Sequence, residues 1–362
     1  MITEIRVRNF RGLTDAAVAL GRWTILYGTN GAGKSSLLDS LNLLSSFATG
    51  TTITNAFPGG VFSLQSQLHD PTVNTMEFVA RHRVGDPSIG AVETLEYSVV
   101  FEAGQRLGKV GAERLMVDGA TVMDVSGGIA SRLQTSDCRD PMAASEVVQA
   151  HQFVRRYRLE PRALRAASSA HHFIEKNGVG LPSSLSYLEA GCPEAFDRLR
   201  TDFLALFPEI ADLRVARLGG GDLALEFDTG AAQGLSGVHL SDGQALTLGI
   251  LFLAHSPNAP RVLLLDEPEV TLSPVLVKRL LDRTESALSS DRQVLLTTHS
   301  PYVLQWGIHN DAEVRQVRGD FGTRSWRDAL HQQGIEHSTM HTDATPITIG
   351  HCCALLETYL TA

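Results

Sequence analysis

The chain has 362 residues, 43% of them apolar and 20% charged, with a formal net charge of −9. That length and apolar share describe a globular protein, with material for a large core in one two-lobed domain or two ordinary ones. The negative balance disfavours a surface coated in nucleic acid, because non-specific affinity comes mainly from cations that neutralise phosphates.

From the N-terminus, Ile5 and Val7 alternate with Arg6 and Arg8, and Val18 and Leu20 repeat the habit after Arg11-Gly12, which predicts an antiparallel strand pair. The opening residues lack the basic, apolar, small-residue order of a secretory signal. Trp23–Tyr27 is a short strand running into Gly28, and Ser35–Leu44 is an apolar-rich helix. Between Met76 and Val125 the signals are again strand-like: Leu95, Tyr97, Val99 and Phe101 alternate, and Asp118-Gly119 marks a tight hairpin. This predicts an antiparallel meander. From about Gln134 to Ile210 the period becomes helical, with Phe196, Leu199, Phe203, Leu204 and Phe207 on one face and Pro208 as the stop.

Inside that stretch, Arg155 to Lys176 carries Arg155, Arg156, Arg158, Arg162, Arg165 and Lys176 against Glu160 and Glu175. It reads either as a solvated face or as a local groove for DNA. Gly219-Gly220-Gly221 then joins two strands, the second marked by Leu223, Leu225 and Phe227. Ala245–Ala254 is apolar nearly all round, as a buried helix is. Val262–Leu265 and Val294–Thr297 are continuous apolar runs, expected of parallel strands covered on both faces. Ser273-Pro274 starts the helix between them. None of the apolar runs reaches the roughly 20 residues of a membrane-spanning helix, so a cytoplasmic protein without membrane insertion is expected. Cys138, Cys192, Cys352 and Cys353 do not make a disulfide framework and are expected as thiols.

Four constellations carry chemistry. Gly28-Thr29-Asn30-Gly31-Ala32-Gly33-Lys34-Ser35 matches the phosphate loop G-x-x-x-x-G-K-[ST] in full, with a strand before it and a helix after. Its glycines let backbone N–H groups approach phosphates, the helix N-terminus adds positive potential, Lys34 reaches the β and γ phosphates, and Ser35 ligates Mg²⁺. Gly28, Asn30, Gly31, Gly33, Lys34, Ser35 and Ser36 are therefore candidate ATP contacts. Arg261 to Pro268 is an apolar strand ending in two carboxylates. Asp266 is suited to hold Mg²⁺ through water and Glu267 to polarise the attacking water. Leu240-Ser241-Asp242-Gly243-Gln244 precedes the buried helix; alone it is an ordinary turn and cap, yet a hydroxyl at a helix N-terminus also suits a γ-phosphate, which makes Ser241 and Gly243 candidates. Thr297-Thr298-His299-Ser300-Pro301 places His299 at a strand end, where an imidazole can sense that phosphate.

These four elements, in this order, resemble the phosphate loop, signature, Walker B and switch-histidine motifs of the ABC-superfamily ATPases. The opening Ile5-Arg6-Val7-Arg8-Asn9-Phe10-Arg11-Gly12-Leu13 resembles the start of SMC, Rad50 and RecF heads. The chain is most similar to the bacterial "AAA family" group of ABC-type ATPases, the AAA21-like proteins with a head like that of the overcoming-lysogenization-defect nucleases. Leu181-Pro182-Ser183-Ser184-Leu185, Leu240–Gly243, Asp266-Glu267-Pro268-Glu269 and Thr297–Pro301 carry that similarity, which spans roughly residues 1 to 310.

The resemblance implies an α/β, P-loop ABC-type head over 1–362: a mixed sheet, an antiparallel subdomain, a nucleotide-binding lobe of 1–130 plus 258–362, and a helical signature lobe of 131–257. It implies that Arg11 touches nucleotide, with ATP and Mg²⁺ as cofactors. It also implies a homodimer closed around two ATP, in which Ser241 and Gly243 come from the opposite protomer. There are departures. Val270-Thr271-Leu272-Ser273-Pro274 stands where a glycine–leucine–histidine–proline run is usual, Gln244-Ala245-Leu246 where threonine, leucine and arginine are frequent, and the Mg²⁺-coupling glutamine is not identifiable, Gln134 and Gln152 being guesses.

No sustained heptads interrupt the head, which excludes a long-armed tether. About 60 residues follow His299, so an appended Toprim nuclease is not expected. They include His331, His337, His341, His351, Cys352 and Cys353 without regular ligand spacing. The expectation is an ATPase that switches a separately encoded effector in DNA surveillance, repair or anti-phage defence. A transporter's nucleotide-binding subunit and a low-turnover scaffold are the alternatives.

Overall fold

The computed structural model describes residues 1–57, 64–86, 91–104, 108–169, 173–318 and 323–326, with a few isolated positions beyond. His331, His337, His341 and His351 lie outside the described residues. In chain order the elements are β1 (Ile2–Phe10), β2 (Leu13–Ala19), β3 (Trp23–Tyr27), α1 (Lys34–Ala48), α2 (Ile53–Ala56), β4 (Thr75–Asp86), β5 (Ala91–Glu102), β6 (Lys109–Val117), β7 (Ala120–Val125), α3 (Pro141–Gln152), β8 (Val154–Tyr157), α4 (Pro161–Arg165), α5 (Leu181–Gly191) and α6 (Pro193–Leu206). They continue with β9 (Ile210–Arg217), β10 (Leu223–Thr229), β11 (Leu235–Ser236), α7 (Asp242–His255), β12 (Val262–Asp266), α8 (Pro274–Ala287), β13 (Gln293–Thr298), α9 (Pro301–His309), β14 (Glu313–Val317) and β15 (Thr323–Ser325). The chain forms two compact units, Met1–Val154 with Gln293–Ala362, and Arg155–Arg292. These boundaries differ from the expected lobe limits, and β12 falls in the second unit.

The first unit holds an antiparallel sheet in the order β2-β1-β4-β5-β6-β7. Alternation sorts its faces: Ile5 and Val7 are buried and pair with Val18 and Ala16 across β2. The Asp118-Gly119 hairpin is present, both residues having positive φ as a two-residue turn requires. Helix α1 buries Phe47 edge-on against Phe101 at 5.0 Å, and Phe78 and Phe10 extend the cluster. In the same unit β3 pairs in parallel with β13 and with β14. All five β3 residues are buried, the burial expected of a parallel strand covered on both faces. Trp23 on β3 meets Trp306 on α9 edge-on at 4.8 Å.

A polar chain runs through this core. Ser45 on α1 donates to Leu41 O at 2.7 Å, so its oxygen accepts from His151 Nδ1, also at 2.7 Å. His151 Nε2 then carries a lone pair and accepts from His82 Nε2 at 3.0 Å. Both rings are 1% exposed, and burial pushes both imidazoles well down, His82 to about 3. Each is therefore neutral, and the network assigns each proton its nitrogen.

The second unit combines the antiparallel β9-β10-β11 with α4 to α8. Helix α7 is buried from Ala245 to Ala254, as its unbroken apolar sequence predicts. Its last carbonyls accept from the buried Arg292, which reaches Leu253 O, Ala254 O and Ser256 O at 3.3, 3.1 and 2.6 Å. Helix α6 buries Phe196, Leu199 and Phe203 as expected, but Leu206 takes the place foreseen for Leu204. Strand β8 corrects the purely helical reading of this region: four residues are too short to show a period, and only Val154 and Tyr157 are buried.

All four cysteines are free thiols. Among the described residues, no cluster of His, Cys, Asp or Glu forms a metal site, and no helix is long and apolar enough to cross a membrane.

Candidate functional site

In the first unit, β3 delivers the chain into the phosphate loop and α1 leads it away. Gly33 caps the helix at φ +96°, a left-handed conformation that L side chains rarely adopt, and a Cβ there would stand 2.5 Å from Leu13 Cδ2. A Cβ on Gly28 would stand 2.5 Å from Val317 O. Both positions therefore need glycine, one for φ and close packing, the other for backbone approach. Gly31 and Asn30 are exposed at the loop's outer turn, and Ser35 and Ser36 are half-buried on the first turn of α1.

Lys34 is only 5% exposed. Its Nζ donates to Gly28 O at 3.0 Å, to Thr29 O at 2.9 Å and to His299 Nε2 at 2.8 Å. An ammonium can only donate, so His299 Nε2 carries the lone pair and the imidazole is neutral with its proton on Nδ1. Two motifs separated by 265 residues thus meet within one unit. The parallel pairing of β13 with β3 accounts for this: Thr298 stands in register with Tyr27, so the two strand ends release His299 and the loop side by side. A buried cation held by loop carbonyls is a cradle for an anion, and the loop's residues fit the phosphates of ATP.

Arg11 occupies the β1–β2 turn at φ +50°. Its guanidinium is paired with Asp39 on α1, bonded to Gln67 and set 4.9 Å over the Phe10 ring. The neighbouring Gly12 packs against Gly31 O and Gly33 Cα. The structure thus brings the Arg11 turn to the phosphate loop, with the guanidinium engaged by Asp39.

In the second unit, Asp266 ends the fully buried β12. Its side chain is 4% exposed, and Arg156 Nη2 donates to Oδ2 at 2.5 Å. A buried carboxylate facing a cation fits Mg²⁺, which takes oxygen donors, and the Ser35 hydroxyl is a donor of the same class. Glu267 follows at φ +48°, a conformation costing a non-glycine residue about 1–2 kcal/mol. Strain at this carboxylate is what a positioned functional group shows.

Ser241 is the N-cap of α7 in a capping box: its Oγ accepts from Gln244 N at 3.2 Å, and Gln244 Oε1 accepts from Ser241 N at 2.8 Å. Gln244 also donates to Glu209 at 2.9 Å, and Arg165 holds Leu240 O and Asp242. The turn is therefore built, with Ser241 exposed and Gly243 beside Thr271 and Leu272. Arg156 and Arg165 were counted with the basic stretch; the structure turns both inward to acids, leaving Arg155, Arg158, Arg162 and Lys176 exposed. No sequence signal set Arg156 apart, because the four-residue strand that carries it is too short to show a period.

Two family models match: "AAA ATPase domain" over residues 1–77 and "AAA domain, putative AbiEii toxin, Type IV TA system" over residues 141–305. No curated protein is similar to the chain in sequence. Among solved structures, an Smc head bound to the C-terminal winged-helix domain of ScpA is similar with a TM-score of 0.59 and 13% identity, over 90% of this chain and 97% of that one. An Smc head from Pyrococcus furiosus with an extended coiled coil, bound to the C-terminal domain of ScpA, gives 0.57 and 12%, over 92% and 98%. At such identity the structures speak for the fold, and the family models match the segments that carry the motifs. The chain thus has the fold of the Smc heads, and its motif-bearing segments, 1–77 and 141–305, are similar to AAA-named ATPase families.

Proposed function

We propose that this protein binds and hydrolyses Mg-ATP, that bound ATP draws two copies together, and that the paired state controls a separately encoded effector. The observation that carries the reading is Lys34, a buried ammonium held by two loop carbonyls and the imidazole of His299. Incoming β and γ phosphates offer Lys34 charge-assisted bonds stronger than those to neutral carbonyls, so Lys34 leaves the loop carbonyls for the ligand. The same movement breaks the Lys34–His299 bond, and the imidazole turns to bond the γ-phosphate. Asp266 and Ser35 would hold Mg²⁺, which supplies charge neutralisation at the phosphate oxygens. Glu267 orients and polarises the attacking water. Ser241 and Gly243 of a second copy close the site: the capping box holds Ser241 in place while its hydroxyl proton remains to donate. Arg11 contacts nucleotide once it leaves Asp39.

A shared site makes ATP the glue and hydrolysis the release, a population shift driven by preference for the closed state. The effector reading draws support from the name of the matched family, which refers to a toxin–antitoxin system, and from the similar Smc heads, which are bound to ScpA. DNA surveillance, repair or anti-phage defence is the setting we infer, with Arg155, Arg158, Arg162 and Lys176 as the place where DNA would dock. The test is equilibrium binding of a fluorescent ATP analogue together with phosphate release. Wild-type protein should bind and turn over, and Lys34→Met should lose at least tenfold in affinity. Wild-type protein that binds no nucleotide would sink the proposal.

A further inference from the structure

Arg156 lies outside every motif, and its pairing with Asp266 is not explained by the roles assigned above. Strand β8 is hydrogen-bonded to β12, and from it Arg156 reaches the carboxylate that ends β12, Nη2 to Oδ2 at 2.5 Å. The carboxylate is 4% exposed and the guanidinium 18%, so both charges are largely out of water. Removing one partner of a pair this far out of water leaves the other charge uncompensated, so the contact resists being broken unless another cation takes its place. The guanidinium is planar, permanently charged and unable to release its proton, so it cannot yield the place by titration. It can yield only by moving. A divalent ion taking Oδ2 would stand within a few ångströms of the guanidinium, and two like charges in a poorly solvated place repel strongly.

We propose that Arg156 is a positioning residue that stands in for the metal: it holds Asp266 aimed while no ion is bound, and Mg²⁺ binds by displacing it. The inference rests on Asp266 being the Mg²⁺ ligand. Its consequence is a metal affinity set by exchange rather than by the carboxylate alone. Asp266 does not have to be reorganised when the ion arrives, but the ion must compete with an internal cation. A surface arginine forming a fortuitous ion pair would have neither effect, because solvent would screen it.

The experiment uses the full chain with a saturating non-hydrolysable ATP analogue, and reads Mn²⁺ binding by the electron paramagnetic resonance signal of the free ion. Arg156→Gln keeps an N–H donor for Oδ2 but removes the competing charge, and should tighten Mn²⁺ about tenfold, the weight of one charge-assisted hydrogen bond. Arg156→Lys keeps the charge and should remain within about twofold of wild type. In EDTA without nucleotide, Arg156→Gln should melt below wild type, and Mg²⁺ with the analogue should narrow that gap. If Arg156→Gln cannot be purified folded, the lysine variant still decides: loss of Mn²⁺ binding there, with the charge intact, would overturn the exchange.

Binding of the fluorescent analogue in EDTA separates the two readings. No nucleotide binding by wild type would overturn the parent reading and this one with it. Normal nucleotide binding with Mn²⁺ affinity unchanged or weakened in Arg156→Gln would overturn the exchange alone.

Discussion

Lowering the pH from 7 to 5 is expected to destabilise the first unit by at least about 2 kcal/mol through His82. The unfolded imidazole titrates near 6.5, whereas the folded one, 1% exposed and donating to His151, is pushed down to about 3. Below pH 6.5 the unfolded chain takes up a proton that the folded chain refuses, so stability present above 6.5 is lost as the pH falls toward 3. The slope is about 1.36 kcal/mol per pH unit, which between 6.5 and 5 gives the 2 kcal/mol, set by the unfolded value alone. His151, also depressed by burial, adds to the loss. Glu113, raised by burial, acts in the opposite direction, because the folded state takes its proton first.

His82→Leu isolates one contribution. At pH 7 it leaves His151 Nε2 as a buried acceptor without its donor, costing about 1–3 kcal/mol. At pH 5 the deficit should shrink by about 2 kcal/mol, since the variant no longer has that proton to refuse. Urea unfolding followed by the fluorescence of Trp23 and Trp306, at intervals between pH 7 and 5, measures both curves. Wild type and variant running parallel across that range would refute the reasoning.

Three further outcomes follow from single positions. Gly33→Ala meets both φ +96° and Leu13 Cδ2 at 2.5 Å, so it should cost about 1–3 kcal/mol and weaken ATP more than tenfold; wild-type melting and affinity would contradict it. Glu267→Gly relieves a left-handed glutamate and should raise stability by up to about 1 kcal/mol in denaturant titrations while abolishing phosphate release; a less stable or still active variant would contradict it. Ser241→Ala removes the capping-box acceptor and should cost about 1 kcal/mol, read by urea unfolding; an unchanged midpoint would show that Glu209 and Arg165 hold the turn without it.

The sequence was most readable where one local rule decides the outcome. Period two put Ile5, Val7 and the β4–β7 meander in place, continuous apolar runs marked β12 and β13, and Ala245–Ala254 announced a buried helix. The phosphate loop was readable because its glycines are demanded by backbone geometry at Gly33 and close approach at Gly28. Long-range partners were not. Nothing near Lys34 in the chain points to His299; the parallel register of β3 and β13 makes that contact. The His82–His151–Ser45 chain joins three elements whose separate sequences look unremarkable, and Arg156 was indistinguishable from its basic neighbours until a four-residue strand aimed it at Asp266.

The central claim is that ATP closes two copies around shared sites. It is tested most directly by the native mass of Glu267→Gln with and without Mg-ATP. The account predicts 39.2 kDa without nucleotide and about twice that with it. A variant that binds ATP yet stays at the mass of one chain would contradict it.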